Sequence, residues 1–158
     1  MLDLKNNPEA KLKELGLSLP QSVKPLASYI PTLIISKLLF TSGTLPIKDG
    51  KVMYTGKMGE GANTVDIGYE ASRLATLNSL SAVKDTLGDL SKIKRIVKVT
   101  GYVNSSNGFT DQPKVINGAS DLLVSIFGES GKHVRSAIGV AELPLNALVD
   151  IEFIYELA

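Results

Sequence analysis

From Thr64 onward the chain carries a side-chain pattern with three- and four-residue steps. Ile67, Ala71, Leu74, Leu77, Ser81 and Lys84 trace one face, and Leu80 and Leu87 widen its apolar stripe. That spacing predicts an amphipathic helix opening at Thr64, with Gly88 placed to end it. A second helix is predicted from Pro113 through Ile126, its apolar surface supplied mostly by Ile116, Leu122, Leu123 and Ile126. Elsewhere the pattern is strand-like. Leu33 to Ser42 reads as one strand or two closely joined strands, closed by Thr41-Ser42-Gly43, where the glycine permits a close backbone approach at a bulge. Asp49-Gly50 is the pair favoured by tight hairpin turns, with Val52-Met53-Tyr54 as the short returning strand. Arg95 to Val103 is dense in β-branched residues, and two further strands follow, separated by Leu143-Pro144. Near the start, Asn7-Pro8 marks a short helix that stops at Gly16, and Leu17 to Lys24 is a connection.

The order is therefore β-β-(β)-α-β-α-β-β. A single mixed sheet with two helices on one face is the economical way to bury both helical stripes. The expected fold is a single α+β domain at residues 25–158, preceded by a helix and connection at 1–24. At 158 residues the chain is long enough for one sizeable core.

Composition narrows the chemistry. There is no cysteine, which excludes disulfides, thiolate nucleophiles and cysteine-based zinc sites, and the one histidine, His133, cannot build a multi-histidine site. A carboxylate-only magnesium or calcium site is left open, without a calcium-loop spacing to support it. No metal and no cofactor is expected. Net charge is only +1, so no global field recruits nucleic acid or an anionic membrane. The most apolar run, Tyr29 to Phe40, is interrupted by Pro31 and Lys37 and is too short to span a bilayer. The N-terminus does not read as a secretory signal, and a cytoplasmic location is expected.

The most informative block is Arg135-Ser136-Ala137-Ile138-Gly139-Val140-Ala141-Glu142-Leu143-Pro144, followed by Val149-Asp150-Ile151-Glu152. An arginine offers a rigid fork of donors suited to a carboxylate. Three more stretches accompany it in order: Leu39-Phe40-Thr41-Ser42-Gly43-Thr44-Leu45-Pro46, Lys94 to Val103, and Lys114-Val115-Ile116-Asn117. Together these four stretches resemble the signatures of the Rid family, the reactive intermediate deaminases or YjgF-like proteins, in a longer and less characterised subgroup. The resemblance implies a chorismate-mutase-like fold, a homotrimer with clefts between subunits, and hydrolysis of 2-imino acids to 2-oxo acids and ammonia. It matches Arg135 to the arginine that grips the substrate carboxylate. Tyr29, thirteen positions ahead of Ser42, matches a pocket tyrosine. Ser42 and Gly43 match the cleft floor, and Asn117 a pocket asparagine. Ala137 stands where the family often has cysteine. Asp150 stands where many members carry a water-positioning glutamate, one methylene longer.

Each assignment has a plainer counterpart. Without the surrounding motif, Arg135 is a solvated strand-end cation; Tyr29 is a half-buried anchor, Ser42 a bulge residue, Asn117 a local backbone partner. Asp150 and Glu152, two apart, share one side of a regular strand, and either serves equally well at a subunit interface. His133 with Ser42 or Ser136 and Asp150 invites a triad reading, but no Gly-x-Ser-x-Gly elbow occurs. The basic run Lys92 to Lys98 alternates with apolar residues and lacks aromatic interleaving, so an RNA-acting protein is the weakest reading. Deamination leads. A trimer that binds a small 2-oxo acid without turnover is the alternative.

Overall fold

The computed structural model describes residues 7–22, 24 and 27–158. Asn7 caps α1 (Pro8–Glu14) as expected, its side chain accepting from the N–H groups of Glu9 and Ala10. Glu9 then reaches Lys84 at 2.8 Å and the Leu90 N–H at 3.3 Å, while Leu12 is buried. These contacts fasten α1 to the main body.

Strands β1 (Thr32–Ile35) and β2 (Leu38–Thr41) form a hairpin turned at Ser36, which settles the two-strand alternative. β3 (Ile47–Lys48) and β4 (Lys51–Val52) form a two-stranded ribbon. Asp49 and Gly50 both take positive φ there, 51° and 74°, the geometry that an Asp-Gly turn favours. The long helix α2 (Val65–Leu87) is capped by Thr64 and ends at Gly88 in the left-handed region. β5 (Ile93–Asn104), α3 (Gln112–Phe127), β6 (Val134–Val140) and β7 (Val149–Leu157) complete the fold. The main sheet runs β1-β2-β7-β5-β6. Only β5 and β6 are parallel, because α3 is the crossover that a parallel pair requires. Both long helices cover one sheet face, the α+β arrangement anticipated.

The buried face of α2 differs from the predicted stripe. Ala71, Leu80, Ser81 and Leu87 are buried, but Ile67, Leu74 and Leu77 are only partly so, and Lys84 is half-exposed in its pairing with Glu9. The inward positions are largely small: Gly68, Ser72, Ala75, Thr76 and Ser79, with Val83. Close packing explains this choice. A Cβ on Gly118 of α3 would lie 2.0 Å from the Tyr69 carbonyl oxygen, so the two helix backbones nearly touch where they cross. A Cβ on Gly101 of β5 would lie 2.4 Å from Ile116 Cδ1, so α3 also sits tightly on the sheet. Side-chain size, more than hydrophobicity, decides which face of α2 turns inward.

The other sheet face carries no helix. The register places Leu33, Ile35, Leu38, Phe40 and Ile154 there, with Val134 and Ile138 towards the opposite edge. Ile35 is 58% and Val134 65% exposed. Asp150, Glu152 and Tyr102 interrupt this apolar surface near its middle. Among the described residues, no helix is long and apolar enough to cross a membrane.

The helix crossing makes a direct prediction. Ala is worth about 1 kcal/mol more than Gly in an unobstructed helix. At Gly118 that gain should be overturned, and Gly118→Ala should lower stability by about 1–3 kcal/mol through overpacking. Urea unfolding showing an unchanged or higher midpoint would contradict the close crossing.

Candidate functional site

The expected site residues fall into two groups on different parts of the sheet. The first lies on β6, the edge strand. Its parallel register pairs Val99 with Arg135, so Arg135 turns towards the helices like Val99. Its Nη1 donates to Asn117 Oδ1 at 2.8 Å and to Ser120 Oγ at 3.2 Å. Both acceptors lie three apart on α3 and so share one helix face. Among the described residues nothing accepts from Nε or Nη2. Those two nitrogens form the side-on edge of the guanidinium, which matches both oxygens of a carboxylate. Ala137, two residues on, lies on the same side of β6 and packs against the core.

The second group surrounds the end of β2. The Ser42 N–H bonds the Pro31 carbonyl at 2.9 Å, and its hydroxyl donates to the Ile30 carbonyl at 2.7 Å. Ser42 thus anchors the segment that carries Tyr29, which is 55% exposed. Tyr29, Ser42, Gly43, Leu45, Ala82 and Leu145 help line a cleft of about 340 Å³ between this segment and α2. Beyond Gly43 the chain rejoins β7 through paired bonds between Thr44 and Ile151, 2.9 and 3.1 Å. The close approach expected at Gly43 is made to a side chain: a Cβ there would lie 2.4 Å from Asp150 Oδ1. Asp150 lies across Gly43 from this cleft, on the helix-free face.

Asp150 is held in an unusual state. Its Oδ1 is buried without a hydrogen-bond partner. Burial pushes its carboxyl above the ordinary range, and the neighbouring charge of Glu152 pushes the same way. The Ile151 backbone N–H nearby opposes this. Glu152 also raises the Tyr102 hydroxyl, with burial and Asp150 adding to the effect. Asp150, Glu152 and Tyr102 therefore form one acidic cluster.

Within a single chain Arg135 and Asp150 do not meet. They face opposite sides of the sheet, and two strand spacings separate β7, with Asp150, from β6, roughly 10 Å. The triad reading also fails on geometry. His133 pairs with Ser120 at 2.9 Å, not with Ser42 or Ser136, and Asp150 lies across the sheet from it. Sequence reasoning passed over Ser120, although its helical spacing from Asn117 was available. It also gave Tyr102 no role, although the strand register sets it opposite Asp150.

A family profile described as "YjgF/chorismate mutase-like, putative endoribonuclease" matches residues 9–157. Protein TCP17 of Trypanosoma cruzi is 42% identical over 149 residues, covering 94% of this chain and 92% of that protein. A 2-iminobutanoate/2-iminopropanoate deaminase of Dermatophagoides farinae is 30% identical over 138 residues, covering 87% and 92%. The crystal structure of a "putative endoribonuclease" from Shewanella oneidensis superposes with a TM-score of 0.92 at 41% identity, covering 96% of this chain and all of that one.

The state of Asp150 gives a pH-dependent prediction. Its folded-state pKa is raised, so the folded chain keeps a proton that the unfolded chain has already released. Stability from this group is therefore present at acid pH and is lost as pH rises from the ordinary carboxylate range through the folded pKa. Asp150→Asn, neutral at every pH, should melt at a higher temperature than wild type at pH 7. The advantage should shrink as pH falls towards 4. A gain independent of pH across calorimetric scans would show that ionisation is not its source.

Proposed function

The chain belongs to the YjgF/chorismate mutase-like family, and within that family we propose that it hydrolyses 2-imino acids to 2-oxo acids and ammonia. The observation that carries this reading is the unpartnered Nε/Nη2 edge of Arg135, steadied from behind by Asn117 and Ser120. A 2-imino acid presents a carboxylate next to its C=N bond, so a side-on clamp on the carboxylate fixes the direction of the reacting carbon. Water adds to that carbon, the C–N bond then breaks, and nitrogen leaves as ammonia while the C=O bond forms. Such imines hydrolyse slowly unaided, so positioning of water and substrate supplies most of the acceleration. Asp150 orients the water in this reading. Glu152, on the same sheet face and beside Tyr102, is the alternative carboxylate for that task. The relative named as an iminoalkanoate deaminase supports the same chemistry.

A complete site on this reading needs a second copy of the chain. A homotrimer provides one when the β6 edge of one copy, with Arg135, closes on the β2 end of the next, with Tyr29, Ser42 and Gly43. The exposed apolar sheet face supplies a surface to bury in that assembly. Small-carboxylate binding without turnover is the second reading, favoured by one observation: within the chain Asp150 faces the opposite side of the sheet from Arg135, so the clamp has no water-positioning carboxylate beside it. RNA cleavage gains little: within the Lys92–Lys98 run, Lys94 is paired with Glu156 at 2.7 Å and Lys92 donates to the Leu87 carbonyl.

Light scattering at micromolar concentration should give three times the chain mass, and a stable monomer would refute the shared cleft. Decay of 2-iminopropanoate generated in situ should quicken with the wild-type protein. Arg135→Ala should lose that activity, and Arg135→Lys should recover little of it, because a point charge does not reproduce the planar fork. Asp150→Glu should retain activity and Asp150→Asn should lose it. Wild-type protein that binds pyruvate yet leaves imine decay at its spontaneous rate would decide for the binding module.

A further inference from the structure

We propose that Ser120 and His133 are positioning residues for Arg135, and that their hydrogen-bonded chain fixes which edge of the guanidinium is offered to a carboxylate. The proposal rests on the carboxylate-clamp reading of Arg135 and adds what holds the clamp.

His133 Nδ1 lies 2.6 Å from the Gly131 carbonyl oxygen, and a carbonyl only accepts, so Nδ1 carries the proton and donates. In a neutral imidazole the other nitrogen is then bare. Nε2 accepts from the Ser120 hydroxyl at 2.9 Å. With its hydrogen directed to His133, Ser120 Oγ turns lone pairs to Arg135 Nη1 at 3.2 Å. With the ring neutral, the direction of every bond in the chain follows from the carbonyl at its end. Burial lowers the His133 pKa; the bond to the Gly131 carbonyl opposes this and the charge of Arg135 adds to it, with a net downward shift that favours the neutral ring this chain needs.

The carbonyl at the end of the chain is itself fixed. A Cβ on Gly131 would lie 2.4 Å from the Leu123 carbonyl oxygen and 2.8 Å from Val124 Cα, so Gly131 is seated directly against α3. α3 also supplies Asn117 and Ser120. One helix therefore sets both acceptors of Nη1, one through its own amide and one through the imidazole. Both Nη1 hydrogens are thereby engaged. An end-on grip needs an Nη1 hydrogen, so a carboxylate is left the side-on edge, Nε and Nη2.

The test measures pyruvate binding by calorimetry in the full-length protein. Ser120→Ala should weaken binding about five- to tenfold, the scale of one ordinary intramolecular hydrogen bond. Ser120→Thr, which keeps the hydroxyl, should stay within about twofold of wild type. His133→Asn keeps a donor for the Gly131 carbonyl but is too short to receive the Ser120 hydroxyl, and it should weaken binding as well. If the two residues act in series, Ser120→Ala with His133→Asn should bind no more weakly than Ser120→Ala alone. The ¹⁵N resonance of His133 Nε2 should move in Ser120→Ala, as expected for a lost donor. Arg135→Ala is the reference. If it binds pyruvate undiminished, or if wild type binds none, the clamp reading falls and this proposal with it. If Arg135→Ala loses binding while Ser120→Ala and His133→Asn bind like wild type, the clamp stands and the positioning chain is refuted. Additive losses in the double variant would also refute the series arrangement.

Discussion

Parallel pairing of β6 with β5 determines which way Arg135 points. Side chains alternate along a strand, so a one-residue slip would carry Arg135 to the helix-free face and bring Val134 or Ser136 towards α3. The register pairing Val99 with Arg135 is therefore the constraint on which the candidate site depends. It is held by the crossover helix. α3 sits tightly on the sheet at Gly101 and Ile116, touches α2 at Gly118 and Tyr69, and meets Arg135 through Asn117 and Ser120. Packing that buries the core and hydrogen bonds that aim the arginine come from one helix and cannot be adjusted separately.

That coupling also explains the division of the site. A sheet covered on one face assigns each strand residue to one of two environments. Arg135 belongs to the covered side of an edge strand, and Asp150 to the bare side near the middle of the sheet. No local rearrangement within a chain brings them together, because both strands are fixed by long ladders. A closed ring of copies can join such groups without deforming any of them. The bare face is apolar towards both edges, where Leu33, Ile35, Val134 and Ile138 stand exposed, and acidic near its centre.

Much of this fold was legible in the sequence because local chemistry specifies it. Asn7, Thr64 and Gly88 end helices for reasons contained in a few neighbouring residues, and Asp49-Gly50 fixes its own turn. The face of α2 was misjudged because large apolar residues were followed, whereas Gly118 admits only small ones at the crossing. Arg135 and Asn117 were both singled out, and their contact lies across eighteen residues, where no period reveals it. The Ser120–His133 pairing was hidden for the same reason. Which sheet face each candidate occupies depends on strand register, a tertiary property, so Arg135 and Asp150 looked like partners in sequence and are separated in the fold.

The Gly43–Asp150 contact is a local cost to the stability of this chain. A buried carboxyl oxygen without a partner costs about 1–3 kcal/mol, and the approach of Glu152 adds to that cost. Asparagine would relieve the charge, and any larger residue at position 43 would collide with Asp150. The strain is therefore built by two positions together: a glycine that lets the β2 bulge close over the carboxyl, and an acid placed beneath it. Such a pair stabilises nothing within the isolated chain. It does place a carboxyl with a raised pKa at the back of the segment that carries Ser42, where a donor from outside the chain, whether water, substrate or a second copy, would lower the energy on arrival. In that arrangement the same burial that weakens the free chain strengthens the bound state, because an interaction formed out of water is worth more than one formed in it.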